Sequence, residues 1–478
     1  MTRRLMVKIA GEIGTKSPRT RRRFLRILAG NVRAALDVAG VEGDVEQRWS
    51  RLFVTTDRPT EAREALAGVF GIHSISEVAV VRFRDLDDLV ASLSDLYRDR
   101  VTGRTFAVRA RRSGEPSFRS GDLAVALGSA LLPHSAGVNL DDPDVEVPVE
   151  VVRGMAYAVL GVTPGAKGLP LGSGHRAAAL FSGGFDSPVA AWMTMRRGTA
   201  LDLVVCDLDG CGGPEVAMDV ARVLASRWAP GLEMRAHLVD LVAVVNALRE
   251  RVDSRLRQVL LKRAMYRVAT QVAADIGADA IVTGESLGQV STQTLRNLAV
   301  ADEAAGLPVL RPLIGLDKEE IIARARQIGS HDASARVTEH CAIATGRVET
   351  AARLDEVLTA EGDIEETVIE AAVRARRVVD VRRWEPAPPR PEHVVERVPE
   401  GAVVVDVREP DEGADVGDLR LPFSRVAEWA GDLDPAREYV FVCSHGVRSE
   451  LVARELSSRG LRARSLAGGA KSLGDRAA

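Results

Sequence analysis

A glycine-rich loop carries the strongest chemical signal in this chain. The hexapeptide SGGFDS follows the apolar run Ala177–Phe181 and precedes PVAAWM, a helix-like segment. Two glycines let backbone N–H groups approach a phosphate, and the N-terminus of a following helix favours an anion at the same place. Asp186 can hold Mg²⁺ or orient the loop. The pattern predicts a phosphate site whose other members are Ser182, Gly183, Gly184 and Ser187.

Two other nucleotide-binding patterns do not apply to this chain. The chain contains no GxxxxGKS or GxxxxGKT, so the loop is not a Walker loop. The stretch GSGHRA at 172–177 fits a dinucleotide-binding pattern, but it precedes its strand, whereas such a turn must follow one. We therefore exclude dinucleotide binding there.

Four cysteines are too few for a disulfide scaffold, and no CxxC pair suggests structural zinc. Cys443 follows the apolar strand YVFV and opens the segment CSHGVRS. This segment resembles a rhodanese active-site loop. The resemblance implies a thiol at a helix N-terminus and near Arg448, and both features favour the reactive thiolate. Cys206 lies within a predicted strand and is interpreted as structural. Cys211 is interpreted as a loop thiol without an assigned role, and His340 as a packed or solvated histidine.

Strand-like and helical stretches alternate along almost the whole chain. The runs LMVKIAG, RLFVTT, VAVVRF and TFAVRAR are predicted strands, and apolar residues at helical spacing predict a helix over 19–33. After the glycine-rich break at 161–176, apolar strands separated by helices predict a doubly wound parallel sheet. The proline-rich linker 384–391 precedes another small α/β unit. The predicted fold class is therefore multidomain α/β, beginning with two small α+β units.

Composition limits the class of protein. The 478 residues predict three or four domains, and the apolar fraction of 46% with 27% charged residues is typical of a soluble globular protein. No run is long enough for a membrane helix and the N-terminus lacks a secretory h-region, so cytoplasmic residence without membrane partners is expected. Residues 1–35 hold ten Lys or Arg and one acid, which suggests a polyanionic partner or simply a solvated helix face.

The SGGFDS loop is similar to that of N-type ATP pyrophosphatases. Further segments in the same order narrow the resemblance, namely GEIGTKS, FAVRARRSG, LKRAMYRVA, TGESLGQVSTQT and RPLIGLDKEEI. Together they resemble the tRNA 4-thiouridine synthetase family, also linked to thiamine synthesis, with a rhodanese-like tail. The resemblance implies a ferredoxin-like unit (1–75), a THUMP RNA-binding domain (76–165), a PP-loop ATP pyrophosphatase domain (172–383) and a rhodanese-like domain (391–478).

The resemblance also implies an activity and its participants. Uridine 8 of tRNA would be adenylated with ATP and Mg²⁺, and sulfur would replace O4 to give 4-thiouridine, AMP and pyrophosphate. Asp186 and Lys318 match residues tied to adenylation. The matches to ATP-contacting positions are Leu180, Phe181, Lys262, Gly284 and Gln293.

The cysteines gain roles from the same resemblance. Cys443 would carry the sulfur as a persulfide, loaded by a cysteine desulfurase. Cys341 matches the family's second cysteine, which forms a disulfide with the persulfide cysteine until a thiol reductant restores both. The oligomeric state stays open, with a homodimer among the options.

Two alternative functions remain open. The chain could serve only as a sulfur carrier for thiazole formation in thiamine synthesis, in which case Cys443 would be essential and Asp186 dispensable. It could instead be a non-catalytic tRNA-binding protein with a degenerate ATPase, although the intact loop, Lys262 and Lys318 count against this.

Overall fold

A computed structural model of the chain describes residues 2–48, 51–113, 118–152, 154–208, 213–337, 348–362, 366–385, 393–395, 397–444, 446–470 and 473. Internal contacts divide it into two compact units. The first comprises Met1–Gly174, Arg196–Thr199 and Arg227–Leu232, and the second comprises His175–Met195, Ala200–Ser226 and Glu233–Ala478. Within the described ranges, every helix is too short or too polar to cross a membrane.

The first unit is a mixed α/β structure. Its strands are β1 (Thr2–Ile9), β2 (Asp44–Arg48), β3 (Arg51–Thr55), β4 (Ile72–Arg82), β5 (Thr105–Ser113), β6 (Gly137–Val138), β7 (Val145–Val152) and β8 (Met155–Pro164). Its helices are α1 (Gly11–Gly14), α2 (Pro18–Val38), α3 (Pro59–Ala67), α4 (Leu86–Val101) and α5 (Ser120–Leu131), with a 3-10 turn at Leu132–His134. The strands form one sheet in the order β2-β3-β1-β4-β8-β7-β5-β6.

Helix α2 confirms the helix predicted over 19–33 and extends it. Ser17 caps its N-terminus by accepting a hydrogen bond from the Thr20 N–H, and Pro18 occupies the first turn, where no backbone donor is needed. Phe24 and Leu28 lie on its buried face, while the arginines of the opposite face remain largely in solvent. The amphipathic pattern therefore specifies both the helix and its packing side.

Strand β4 joins the two predicted α+β units into one sheet. It pairs antiparallel with β1 on one side and with β8 on the other, and its span crosses the predicted boundary at residue 76. Local sequence patterns mark each strand but do not state which strands pair. Edge pairing removes unsatisfied N–H and C=O groups, so one continuous sheet replaces two exposed edges.

The second unit contains a six-stranded sheet surrounded by helices. Its strands are β9 (Arg176–Leu180), β10 (Ala200–Asp207), β11 (Arg235–Asp240), β12 (Ala280–Val282), β13 (Val309–Leu310) and β14 (Arg377–Asp380). The helices are α6 (Asp186–Met195), α7 (Gly213–Trp228), α8 (Val242–Arg251), α9 (Arg257–Ile276), α10 (Leu295–Asp302), α11 (Lys318–Ile328), α12 (His331–Ser334), α13 (Leu354–Glu361) and α14 (Glu366–Ala375), with 3-10 turns at Ser291–Gln293 and Val381–Arg383.

The order β13-β12-β9-β10-β11-β14 confirms the predicted doubly wound sheet, with one addition. Five strands are parallel, and β14 pairs antiparallel with β11 at the edge. From β9 the chain builds outward through β10 and β11, then returns to place β12 on the other side of β9. This reversal is a topological switch point, where loops diverge at the carboxyl ends of the strands and leave a ligand crevice.

A third sheet, also in the second unit, is entirely parallel. Its order is β15-β19-β18-β16-β17. The strands are β15 (Val394–Val395), β16 (Val403–Asp406), β17 (Leu419–Arg420), β18 (Glu438–Val442) and β19 (Arg462–Leu466). Its helices are α15 (Val426–Trp429) and α16 (Val447–Ser458), with 3-10 turns at Phe423–Arg425 and Ala430–Asp432. Because β16 and β18 are neighbours, the loops after them meet at one edge.

Candidate active site

The SGGFDS loop leaves the carboxyl end of β9 and enters α6, as its sequence predicts. The Ser182 N–H donates to Ser187 Oγ at 3.2 Å, which closes the loop across its base. Gly183 has φ +78°, and a Cβ there would stand 2.6 Å from Ala217 Cα. Glycine is therefore required at Gly183 both by its conformation and by the close passage of α7.

Asp186 is held from two directions at the start of α6. Its Oδ1 accepts from Lys318 Nζ at 2.8 Å, and its Oδ2 accepts from Gln289 Nε2 at 2.8 Å. The Asp186 side chain is 22% exposed and that of Lys318 38% exposed, so the pair is accessible to a ligand. Two residues that lie 132 positions apart in the sequence thus form one ion pair beside the loop.

Helix α11 and an aromatic ring set the position of Lys318. Asp317 caps α11 by accepting from the Glu320 N–H at 2.8 Å, so Lys318 begins the helix in a fixed orientation. Its ammonium also lies 5.7 Å from the centroid of the Phe185 ring, which is a favourable cation–π distance. Both neighbours keep the positive charge at the end of the SGGFDS loop.

Gly284 follows β12 and packs directly against the same loop. A Cβ at this position would lie 2.8 Å from Ser187 N and 2.9 Å from Asp186 C. The next residue, Glu285, accepts a hydrogen bond from Lys262 Nζ at 2.5 Å. The switch point therefore gathers Gly284, Lys262 and the loop, which lie far apart in the sequence.

The remaining residues matched to ATP contacts have mainly structural neighbours. The Phe181 N–H donates to Val204 O at 2.9 Å and its side chain is buried, as a strand end requires. Leu180 pairs in register with Val204 and packs against the core of the sheet. Gln293 is also buried, and its Oε1 accepts from the Ser286 N–H at 3.3 Å. Leu180 and Phe181 therefore fix the strand end before the SGGFDS loop, and Gln293 fixes the backbone at Ser286.

Two residues of this site were not singled out from the sequence, namely Gln289 and Glu285. Both lie in the segment TGESLGQVSTQT, in which only Gly284 and Gln293 are predicted to contact ATP. A sequence feature that could identify them is a polar side chain in a short segment after an apolar strand. The carboxyl ends of parallel strands form ligand sites.

Cys443 lies at the carboxyl end of β18 and is buried. Its Sγ accepts from the Gly446 N–H at 3.2 Å and from Ser449 Oγ at 3.5 Å. Gly446 has φ +94° and immediately precedes α16, so the thiol sits at a helix N-terminus as predicted. Arg448 forms a paired ion bridge with Glu412, and Ser444 Oγ donates to the same carboxylate at 3.0 Å. The arginine charge near the thiol is thereby compensated.

Besides Cys443, Cys206 is the cysteine that lies within the described residues. Cys206 lies on β10, as predicted, and packs against the core of that sheet. Burial, with a smaller effect of Asp207, raises the pKa of its thiol to about 12, which suits a structural role. Cys211, His340 and Cys341 lie outside the described residues.

A basic face occurs in the first unit. A cavity of about 430 Å³ is lined by Arg4, Arg48, Arg82, Phe53 and Tyr157, among others. The two rings lie 5.3 Å apart, so an aromatic floor adjoins the guanidinium groups. The guanidinium groups of such a surface can bind phosphates, whereas the two rings are buried and form its support.

Comparison with known proteins agrees with this architecture. The family models "ThiI ferredoxin-like domain", "THUMP domain" and "Thiamine biosynthesis protein (ThiI)" match residues 4–76, 83–160 and 172–365. A tRNA sulfurtransferase of Desulfurococcus amylolyticus is 39% identical and covers 97% of each chain. The chain belongs to the ThiI family. It is thus an enzyme of the tRNA sulfurtransferase family, with ferredoxin-like, THUMP and PP-loop domains.

Other ThiI relatives extend the similarity. A tRNA sulfurtransferase of Pyrobaculum aerophilum is 36% identical over 95% of both chains, and one of Tolumonas auensis is 32% identical over 96% of this chain and 98% of its own. A crystal structure of a 4-thiouridine synthetase in complex with RNA and ATP is 28% identical. It has a TM-score of 0.71 and covers 79% of this chain and 99% of that one.

Proposed function

We propose that this ThiI family member binds tRNA, adenylates the O4 of uridine 8 and replaces that oxygen with sulfur to give 4-thiouridine. The observation that carries the proposal is the Asp186–Lys318 ion pair, placed at the end of the SGGFDS loop. A phosphate-binding loop with a cation beside it suits attack at the α-phosphate of ATP. The RNA- and ATP-bound relative supports the choice of substrates.

The first step joins AMP to the base. Uracil O4 attacks the α-phosphorus of ATP and pyrophosphate leaves, so a poor leaving group becomes a phosphate ester. Backbone N–H groups of the SGGFDS loop would bind the phosphates. Lys318, held by Asp186 at 2.8 Å, would neutralise the charge that develops in the transition state.

Magnesium enters this proposal with the nucleotide. Within the described ranges, no three His, Cys, Asp or Glu side chains converge on a common point. Both oxygens of Asp186 already accept hydrogen bonds, from Lys318 and Gln289. The residues present do not fit a dedicated metal site, and Mg²⁺ is better held by phosphates and water as part of Mg-ATP.

The second step supplies sulfur from the third sheet, which we propose to be a rhodanese-like domain. Cys443 would receive sulfane sulfur from a cysteine desulfurase, and its position at a helix N-terminus suits a thiolate. The terminal sulfur of the persulfide would attack C4 and displace AMP. Cys341 would then attack Cys443 Sγ, releasing 4-thiouridine and leaving a disulfide that a thiol reductant reduces.

A variant of this step also balances. Cys341 would attack the persulfide first, which releases sulfide and forms the same Cys341–Cys443 disulfide. The free sulfide would then displace AMP from C4. Both routes use Cys341 and Cys443. They differ in whether the sulfur is released as free sulfide before it reaches the uridine.

For tRNA, we propose the basic face of the first unit as a contact surface. Arg4 and Arg48 share the carboxylate of Glu46, and together with Arg82 they leave an excess of positive charge for backbone phosphates. Folded RNA is recognised largely through shape and phosphate contacts. Helix α2 packs on the opposite face of this sheet, so its exposed arginines form a separate basic surface.

A second function is favoured by the description of the matching family model, a thiamine biosynthesis protein. In that role Cys443 would pass sulfur to thiazole synthesis, and the PP-loop domain would not be needed. The two functions are compatible, because both begin with a persulfide on Cys443.

The test is a single-turnover assay with unmodified tRNA, Mg-ATP, cysteine desulfurase, cysteine and reductant. The near-UV absorbance of 4-thiouridine should rise only when ATP is present. Absence of product, with Cys443 still accepting sulfur, would favour the thiazole role alone. Mapping the thiolated nucleotide tests the assignment to position eight.

The packing of Gly284 gives a further prediction. Gly284→Ala should weaken Mg-ATP binding about tenfold or more, because its Cβ would meet Ser187 N at 2.8 Å and displace the phosphate loop. Isothermal titration with Mg-ATP measures this. Gly315→Ala is the matched control, since a Cβ there meets nothing within 4 Å. Equal affinity of both variants and wild type would contradict the prediction.

A further inference from the structure

One buried carboxylate in the PP-loop domain has no role in the scheme above. Glu285 follows Gly284, and its side chain is only 6% exposed. Burying a charge is costly unless partners compensate it. The compensation here is extensive, because four side chains from α9, the end of β12 and the segment after β13 donate to this one carboxylate.

The donors are divided unequally between the two oxygens. Oε2 accepts from Tyr266 Oη at 2.7 Å, from Thr283 Oγ1 at 3.0 Å and from Arg311 Nε at 2.6 Å. Oε1 accepts from Lys262 Nζ at 2.5 Å. One oxygen is therefore anchored by the protein interior, and the anchored group directs its other oxygen to Lys262.

Arg311 is itself fixed at its far end. Its guanidinium also bonds the Asp302 carboxylate and reaches Tyr266 Oη at 3.0 Å. Desolvation raises the pKa of Glu285. The attraction of Lys262, the hydrogen bonds from Lys262 and Tyr266, and the attraction of Arg311 outweigh it and lower this pKa to about 2. The carboxylate is thus ionised throughout the neutral range. Lys262 and Arg311 are balanced by Glu285 and Asp302.

Lys262 is the more exposed of the two cations in this network. Its side chain is 19% exposed, against 6% for Glu285 and 12% for Arg311. Lys262 lies on α9 one turn before Tyr266, and both side chains donate hydrogen bonds to the Glu285 carboxylate. A flexible lysine would otherwise sample many rotamers, and fixing one in advance reduces the entropy lost on binding an anion.

We propose that Glu285 is the positioning residue that holds the Lys262 ammonium for the phosphates of ATP. The same anchor fixes the backbone at Gly284, which packs against Ser187 in the phosphate loop. This inference rests on the proposed ATP-dependent function. An ammonium recognises the charge of the phosphates and not the adenine ring. Loss of its fixed position should therefore weaken the binding of ATP and leave the binding of adenosine unchanged.

The test compares the affinity of the full chain for Mg-ATP and for adenosine by titration calorimetry. Glu285→Gln should weaken Mg-ATP binding about tenfold, because a charge-assisted contact is lost, and leave adenosine affinity unchanged. Lys262→Ala should do the same. The double variant should be no weaker than Lys262→Ala alone, because both changes act through one ammonium.

The controls separate positioning from folding. Glu303→Gln removes a partner of Arg263, the neighbour of Lys262 on α9, and should leave both affinities unchanged. If Glu285→Gln does not fold, Thr283→Val removes one donor to Oε2 while leaving Lys262 intact. It should weaken Mg-ATP binding alone, by a few-fold.

Three outcomes would overturn the inference. Equal losses for ATP and adenosine, additive with Lys262→Ala, would assign Glu285 a structural role only. Unchanged or tighter ATP binding by Glu285→Gln would show that the carboxylate does not position the lysine for phosphate. Failure of the wild-type chain to bind Mg-ATP would remove the proposed function as well, which distinguishes it from the first two results.

Discussion

Replacing Asp186 by Asn should lower 4-thiouridine formation by about 10²–10³-fold, the magnitude typical for loss of one preorganised transition-state group. The Asp186 carboxylate holds Lys318 at 2.8 Å and Gln289 at 2.8 Å. An amide carries no charge, so the lysine loses its fixed position beside the phosphate loop. tRNA binding should not change, because the basic face lies in the first unit. Pyrophosphate release and gel-shift assays measure the two effects separately.

The matched control for this prediction is Asp279→Asn. Asp279 is an exposed carboxylate that pairs with His175 just before β12, at the amino ends of the strands, so the same charge is removed from the opposite edge of the sheet. Its activity should equal that of wild type. If Asp186→Asn keeps full activity, the ion pair with Lys318 does not serve adenylation. Full sulfur loading of Cys443 in the inactive variant would show that the defect lies in the first step.

Replacing Cys443 by Ser should abolish desulfurase-dependent thiolation while leaving pyrophosphate release intact. The hydroxyl cannot accept sulfane sulfur, although it fits the position held by the Gly446 N–H and Ser449. The loss should reach the assay background, since no other group replaces the nucleophile. Adding sulfide should restore product, because adenylated uridine remains available. Thiouridine absorbance and trapping of the persulfide with an alkylating reagent provide the two measurements.

Cys206→Ala is the control for the second prediction. The thiol of Cys206 is buried on β10 with a raised pKa, so its removal should not affect sulfur transfer. Equal product from Cys443→Ser and wild type, with cysteine as the only sulfur source, would mean that sulfur bypasses this domain. Loss of pyrophosphate release in Cys443→Ser would indicate a structural defect instead of a missing carrier.

The sequence alone determined the local elements and the loops that follow them. The SGGFDS loop is predicted correctly between β9 and α6, because the glycine spacing, the apolar strand and the helical segment all lie within about twenty residues. Four of the five parallel strands, β9 to β12, follow from their apolar runs, whereas the two-residue strand β13 is not predicted. The position of Cys443 at the N-terminus of α16 follows from the resemblance of CSHGVRS to a rhodanese active-site loop.

Only the tertiary structure decided which distant residues meet. Strand β4 pairs with both β1 and β8, so the two predicted α+β units share one sheet. The ion pair between Asp186 and Lys318 depends on how α11 packs near α6. Gln289 was not predicted as their partner, because a polar residue in a loop shows no periodicity that reveals its contact.

The charge environment was likewise beyond local patterns. Arg448 was expected to act on the Cys443 thiol, and the structure pairs its guanidinium with Glu412, which comes from the loop after the neighbouring strand. The four donors to Glu285 also come from separate segments. Hydrogen bonds and ion pairs require particular atoms within about 3 Å. Such distances are set by strand order and side-chain packing, whereas sequence patterns specify only the faces and ends of individual elements.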